Sequence, residues 1–196
     1  MNMLKVLFAI FMVLISCSKK PVANTYFESD KTAVLPDSAK VKAVISVSHN
    51  DKNEKLSTVL FVVPNKRYRL ELSGTMGVSA VSILWKQDEW KIIFPQDERY
   101  MKGEGNCISI PVYGYVDIHK FAALFFGQRI DALGCGEWDA LDLEYVENSA
   151  LVSSGKDSLR LEIKNIDSKA KWSAGVWNLS IPDKYVIINQ HFLYSP

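Results

Sequence analysis

The stretch Arg67-Tyr68-Arg69-Leu70-Glu71-Leu72-Ser73-Gly74-Thr75-Met76-Gly77-Val78 decides the fold. Leu70 and Leu72 fall on one face of an extended chain and Arg69 and Glu71 on the other, the period-two pattern of a half-buried strand. A Gly-Thr-Met-Gly connection follows. Two glycines around one unbranched apolar side chain make a tight turn with Met76 near its tip, where Met76 either folds back into the core or projects. Residues 78–85 then resume an apolar strand. Outward from this hairpin the same patterning predicts strands over 41–48, 55–63, 67–73, 89–94, 141–146, 158–166, 171–181 and 185–193. Asn50-Asp51-Lys52-Asn53, Pro64-Asn65-Lys66 and Gln87-Asp88 supply turn chemistry between the earlier ones. The expectation is a mainly β protein, a single curved antiparallel sheet of about nine or ten strands.

One segment breaks the alternation. Asp117 to Gly127 places Ile118, Phe121, Ala122 and Phe125 at helical spacing, behind an N-cap aspartate and ahead of a stopping glycine. A single apolar helix within an antiparallel sheet covers either one face of the sheet or one mouth of a barrel. No internal repeat or second domain interrupts residues 40–196.

The 196-residue chain carries 23 Lys+Arg against 22 Asp+Glu, with 48% apolar and 23% charged residues. That balance excludes an electrostatic nucleic-acid binder, and the composition argues against a disordered, collagen-like or polytopic membrane protein. The local anomaly is the uninterrupted apolar run 6–15 behind Lys5. As a helix it spans about 15 Å, half of a hydrocarbon core of about 30 Å, so it is read as a secretory signal and not as a membrane span. Leu14-Ile15-Ser16-Cys17 resembles the lipobox of bacterial lipoproteins, which implies cleavage before Cys17 and acylation of its thiol and new amine. Residues 1–16 are then signal peptide and 17–39 a lipidated tether, rich in Lys, Pro, Asn, Asp and Ser. Ser18 is not the aspartate that commonly retains such proteins at the inner membrane, so the resemblance implies a periplasm-facing protein on the outer membrane. Two or three acyl chains, at about 0.8 kcal/mol per buried methylene, supply the attachment. In an oxidising periplasm Cys107 and Cys135 either form a disulfide closing a loop of about 29 residues or remain as two buried thiols.

Catalytic and metal signatures are not found in the sequence. His49, His119 and His191 each lack a second His or Cys at ligand spacing, and no nucleophile elbow, phosphate loop or dinucleotide fingerprint occurs. Asp139, Asp142 and Glu144 alternate with apolar residues, as a solvated strand face does. The chain is therefore expected to be non-enzymatic, without metal or cofactor. Trp85, Trp90, Trp172 and Trp177 fall within or at the ends of predicted strands, as core aromatics do.

The run Tyr68-Arg69-Leu70-Glu71-Leu72, followed by the Gly74-Thr75-Met76-Gly77 loop, resembles the LolA/LolB family of periplasmic lipoprotein carriers and outer-membrane lipoprotein receptors, in its membrane-anchored LolB-like branch. Agreement extends more loosely over residues 41–127, through the helix ending in Phe126-Gly127. The resemblance implies a half-open barrel around an apolar cavity, lidded by helix. In the family an apolar residue at the loop protrudes and assists cargo insertion; Met76 is the matching position, with Thr75 where proline is usual and methionine where leucine is usual. Leu70, Leu72, Val81, Ile83, Phe121 and Phe125 are candidate cavity-lining positions and equally candidates for packed core. Implied partners are acyl chains of lipoproteins or lipids, the inner leaflet of the outer membrane through the Cys17 anchor, and a periplasmic carrier protein, with the chain acting as a monomer. The leading expectation is an acceptor of acylated cargo that assists its insertion into the outer membrane. The alternatives are an envelope lipid or hydrophobe carrier or sensor, and a structural assembly lipoprotein.

Overall fold

Alternating apolar and polar residues build twelve strands among the residues described by the computed structural model, namely 36–49, 52–110, 114–135, 142–146, 148–154 and 156–188. The expected signal peptide, Cys17, His191, Asp139 and most of the tether lie outside the described residues. The strands are β1 (Ala39–His49), β2 (Lys52–Val63), β3 (Arg67–Ser73), β4 (Ser79–Lys86), β5 (Glu89–Phe94), β6 (Arg99–Glu104), β7 (Cys107–Ile110), β8 (Gly114–Asp117), β9 (Asp142–Val146), β10 (Ser149–Ser154), β11 (Asp157–Asp167) and β12 (Val186–Ile187). One helix, α1 (Ile118–Leu124), follows β8 directly.

Ten strands form one sheet in the order β12-β6-β5-β4-β3-β2-β1-β11-β10-β9, and β7 pairs with β8 in a separate ribbon. The sheet is curved and ends on two different strands, so it makes a half-open barrel. Two register shifts help it bend, one between Lys42 and Ala43 against β11 and one between Leu72 and Ser73 against β4. Gln87 and Asp88 both take positive φ (54° and 64°), the geometry of a two-residue hairpin turn whose twist matches its strands.

The inner face carries Val41, Ile45, Leu60, Val62, Leu70, Ile83, Trp90, Ile92, Met101, Ala150, Val152 and Leu161 in one continuous apolar core. Ile118, Phe121, Leu124 and Phe125 of the helical segment complete it. Trp90 sits opposite Gly103. A Cβ at Gly103 would stand 2.3 Å from the Trp90 indole, so here glycine is required by close approach.

The C-terminal part differs from expectation. Residues 171–181, read as a strand from their alternation, instead contain a 3-10 turn (Ala174–Trp177), and of 185–193 only Val186–Ile187 is a strand among the described residues. Nor is β12 antiparallel: it pairs parallel to β6. The reason is topological. Residues 168–185 cross the outer face as a strap, with Trp172 against Phe61 of β2 and Trp177 under the Arg67 guanidinium, 4.4 Å from the ring centroid. Trp172 and Trp177 thus lie outside strands, although Trp177 is buried. Arg69 Nη1 donates to the carbonyls of Val176 (2.7 Å) and Asn178 (3.1 Å), and the Glu71 carboxylate accepts from Arg69 Nε and from Ser82 Oγ. β6, β7, β8 and β10 go beyond the predicted strands. β1 opens at Ala39, which is fully buried, so the last residue assigned to the tether belongs to the sheet. Lys52 and Asn53, read as turn, open β2 through the pairs His49 with Lys52 and Ser48 with Asn53.

Cys107 and Cys135 are joined by a disulfide with Cα atoms 6.1 Å apart. It fastens the chain leaving α1 back to the ribbon, where Asp117 N–H donates to Leu133 (3.0 Å) and Cys135 N–H to Tyr115 (3.1 Å). Closing a loop of about 29 residues is worth about 3–4 kcal/mol on the chain-entropy account. The Cys107→Ser/Cys135→Ser double variant is expected to lose about that much in urea unfolding, and an unchanged midpoint would contradict it. By the same measurement, Gly103→Ala is expected to cost about 1–3 kcal/mol by forcing the Trp90 ring aside.

Candidate functional site

The loop joining β3 to β4 is held by its own backbone. Gly77 N–H donates to Gly74 O (3.2 Å) and Gly74 N–H to Val78 O (2.9 Å), closing the hairpin over a 3-10 turn, Thr75–Gly77. Met76 occupies the left-handed region (φ 62°, ψ 18°), and Gly77 follows at φ 73°. For an L-residue other than glycine this conformation costs about 1–2 kcal/mol. No burial offsets that cost. Met76 is 97% exposed, and Val78 beside it is half exposed. The hairpin thus presents an apolar, unbranched side chain outward on a short, backbone-tied tip. The other described methionine, Met101, is fully buried.

The six candidate lining residues fall on one surface. Leu70 pairs with Ile83 and Leu72 with Val81 across β3 and β4. Leu70, Ile83, Phe121 and Phe125 are buried in the core, and Leu72 and Val81 pack against it partly buried. Phe121 and Phe125 meet edge to face at 5.5 Å. In this conformation α1 covers the inner face, and these side chains touch protein.

α1 is docked by polar groups as well. Asp117 Oδ1 accepts from the backbone N–H of His119 (2.8 Å) and Lys120 (3.2 Å), capping the helix. The Tyr68 hydroxyl accepts from Asn65 N–H (3.0 Å) and lies 2.9 Å from His119 Nδ1, so one phenol ties the β2–β3 turn to α1. His119 packs against the Tyr68 ring (5.4 Å) and the Trp85 ring (4.8 Å). Trp85 Nε1 donates to Gly105 O (3.1 Å). Sequence parity could have found Tyr68, which shares its face with Leu70 and Leu72. Nothing local to His119 signalled its partner 51 positions away. At the far side, Tyr145 of β9 accepts from Ile130 N–H (2.8 Å), holding the chain beyond α1 against the sheet. Burial raises both phenols above the ordinary tyrosine value, the main cause at Tyr68 and at Tyr145 alike.

Elsewhere, His49 Nδ1 lies 2.9 Å from Asp157 Oδ1. Asp142 and Glu144 are exposed on β9. Among the described residues no three His, Cys, Asp or Glu side chains gather at metal-binding distance. A groove of about 520 Å³ runs between the strap and β4–β5, but Lys86, Glu89 and Lys91 line it, a poor surface for an acyl chain.

No protein-family profile matches the chain, and no curated protein matches it in sequence. Among solved structures it is similar to a LolA superfamily protein, NE2245 from Nitrosomonas europaea. The TM-score is 0.47 at 8% identity, covering 74% of this chain and 92% of that one.

Removing the Tyr68 hydroxyl strands Asn65 N–H and His119 Nδ1, so Tyr68→Phe is expected to cost about 1–3 kcal/mol at neutral pH. The raised folded-state pKa fixes the sign in alkali. The stabilisation is complete below the unfolded value near 10 and is lost as pH rises through the folded value. Urea unfolding at about pH 8 and about pH 11 should show a smaller alkaline loss in Tyr68→Phe than in the native chain; an equal loss would remove Tyr68 from the account.

Proposed function

We propose that the chain is a non-enzymatic, lipid-anchored outer-membrane protein that takes acylated cargo onto the inner face of its half-open barrel and uses the Gly74–Gly77 loop to assist cargo insertion. Cys17 supplies the anchor, facing the periplasm, and a periplasmic carrier supplies the cargo. The observation that carries this reading is Met76: an apolar side chain held 97% exposed, at a backbone cost, on a tip that no described residue covers. An exposed apolar group kept at such a cost has a use outside the folded chain. Burying one methionine in a bilayer yields about 1.5–3 kcal/mol, far below the acyl anchor, so the loop steers release and does not hold the protein down.

Acyl chains reach the inner face when α1 moves aside. Exposing Ile118, Phe121, Leu124 and Phe125 costs about 6–12 kcal/mol. An acyl chain of about sixteen carbons, at about 0.8 kcal/mol per methylene buried from water, returns about 12 kcal/mol. The two quantities are of similar size, so cargo burial offsets the displacement of α1, and the apolar row Leu70, Leu72, Val81 and Ile83 becomes its floor. One observation favours a second reading, a structural assembly lipoprotein: four of the six candidate lining residues are buried in one packed core.

The test uses the acylated full chain in vesicles of phosphatidylethanolamine with a minority of phosphatidylglycerol, and a fluorescent triacylated lipopeptide as cargo. Transfer into these vesicles should exceed that into protein-free vesicles, and Met76→Glu should slow it roughly tenfold or more. Transfer no faster than into protein-free vesicles would leave the structural reading in place. Transfer indifferent to Met76→Glu would remove the loop from the mechanism.

A further inference from the structure

We propose that Met76 is a reversible oxidation site through which peroxides switch off the membrane-contact loop. The inference rests on the loop's role proposed above but concerns its regulation. Five methionines occur in the sequence, and Met1, Met3 and Met12 precede the expected cleavage site at Cys17. Of the remaining two, Met101 is fully buried against the Trp90 side of the sheet, while Met76 is 97% exposed. Cys107 and Cys135 are already joined. An oxidant in the surrounding water therefore meets the Met76 sulfur first among the described thioethers and thiols.

The chemistry is an oxygen transfer. A sulfur lone pair attacks one peroxide oxygen, the O–O bond breaks, and a sulfur–oxygen bond forms. The thioether is oxidised by two electrons to the sulfoxide, and hydrogen peroxide, after proton transfer, leaves as water. A dithiol reductase reverses the step, removing the oxygen as water while its two thiols become a disulfide.

The structure separates the effect on contact from any effect on folding. At 97% exposure the new oxygen displaces no packed neighbour, so the domain keeps its stability. The tip, however, changes from apolar to strongly polar, and burying it in hydrocarbon becomes unfavourable. Leucine at this position would make a similar apolar contact without this chemistry; methionine makes the contact erasable.

The experiment treats the acylated full chain with dilute hydrogen peroxide in detergent, removes the oxidant, reconstitutes the protein in the same vesicles, and follows transfer of the triacylated lipopeptide. Tryptic peptide 70–86, which contains Met76, should gain the mass of one oxygen while peptide 100–102, which contains Met101, does not. The thermal midpoint should be unchanged, transfer should fall to the Met76→Glu level, and methionine sulfoxide reductases with a dithiol should restore it. Met76→Leu, compared only with itself before and after peroxide, should keep its own rate. Equal oxidation of Met101, undiminished transfer by the oxidised chain, or an equal peroxide loss in Met76→Leu would each overturn the proposal. If transfer by the untreated chain does not depend on Met76, the contact-loop reading itself fails and the switch with it; that outcome is visible before any oxidant is added.

Discussion

A half-open curved sheet must cover its apolar inner face with something other than a second sheet. Here α1 meets that constraint, and the rest of the structure follows from it. A seven-residue helix is not stable alone in water. It exists because Phe121, Leu124 and Phe125 find the sheet, because Asp117 caps its first turn, and because Tyr68 ties His119 to the β2–β3 turn. The disulfide and the Tyr145 hydroxyl then hold the chain leaving it. The lid is thus a short helix with a large apolar footprint, held by a cap and a phenol at its first turn and by a disulfide beyond its last.

The two sides of the sheet are treated differently. On the outside, the strap lays Trp172 and Trp177 over β2 and β3 and satisfies Arg69 through the carbonyls of Val176 and Asn178. Among the described residues, the β3–β4 tip is where an apolar side chain stands almost fully clear of the domain. The strap thus packs on β2 and β3, the latter carrying the tip, while the inner face is covered by α1.

Strands with one buried face were readable from alternation: β3 and β5 fall where the pattern puts them, and β1, β2, β4 and β11 differ only at their ends. The helix was readable from Ile118, Phe121, Ala122 and Phe125 and from its N-cap. β6 escaped because its inward positions are Met101 and Gly103, the latter kept small by the Trp90 ring, so no apolar row shows in one dimension. The strap misled for the opposite reason. Trp177, Leu179 and Ile181 alternate like a strand's residues, yet the segment packs onto an existing face from above, and Pro182 and Gly175 interrupt any ladder. At the site, the Gly-Thr-Met-Gly tip could be read locally, but the choice between a folded-back and a projecting Met76 needed the structure, in which Met76 is 97% exposed. The tie from Tyr68 to His119 spans 51 positions and leaves no trace in local patterning.

Occupation of the inner face by acyl chains in place of α1 can be read out by photolabelling. A triacylated lipopeptide carrying a diazirine at the end of one acyl chain is incubated with the acylated full chain and illuminated, and the modified residues are mapped by mass spectrometry. The account predicts label on the inner-face positions Leu70, Leu72, Val81 and Ile83 and on Phe121 or Phe125, together with faster amide exchange across Ile118–Leu124 when cargo is present. Label confined to the strap and the outer face, with exchange in α1 unchanged, would contradict it.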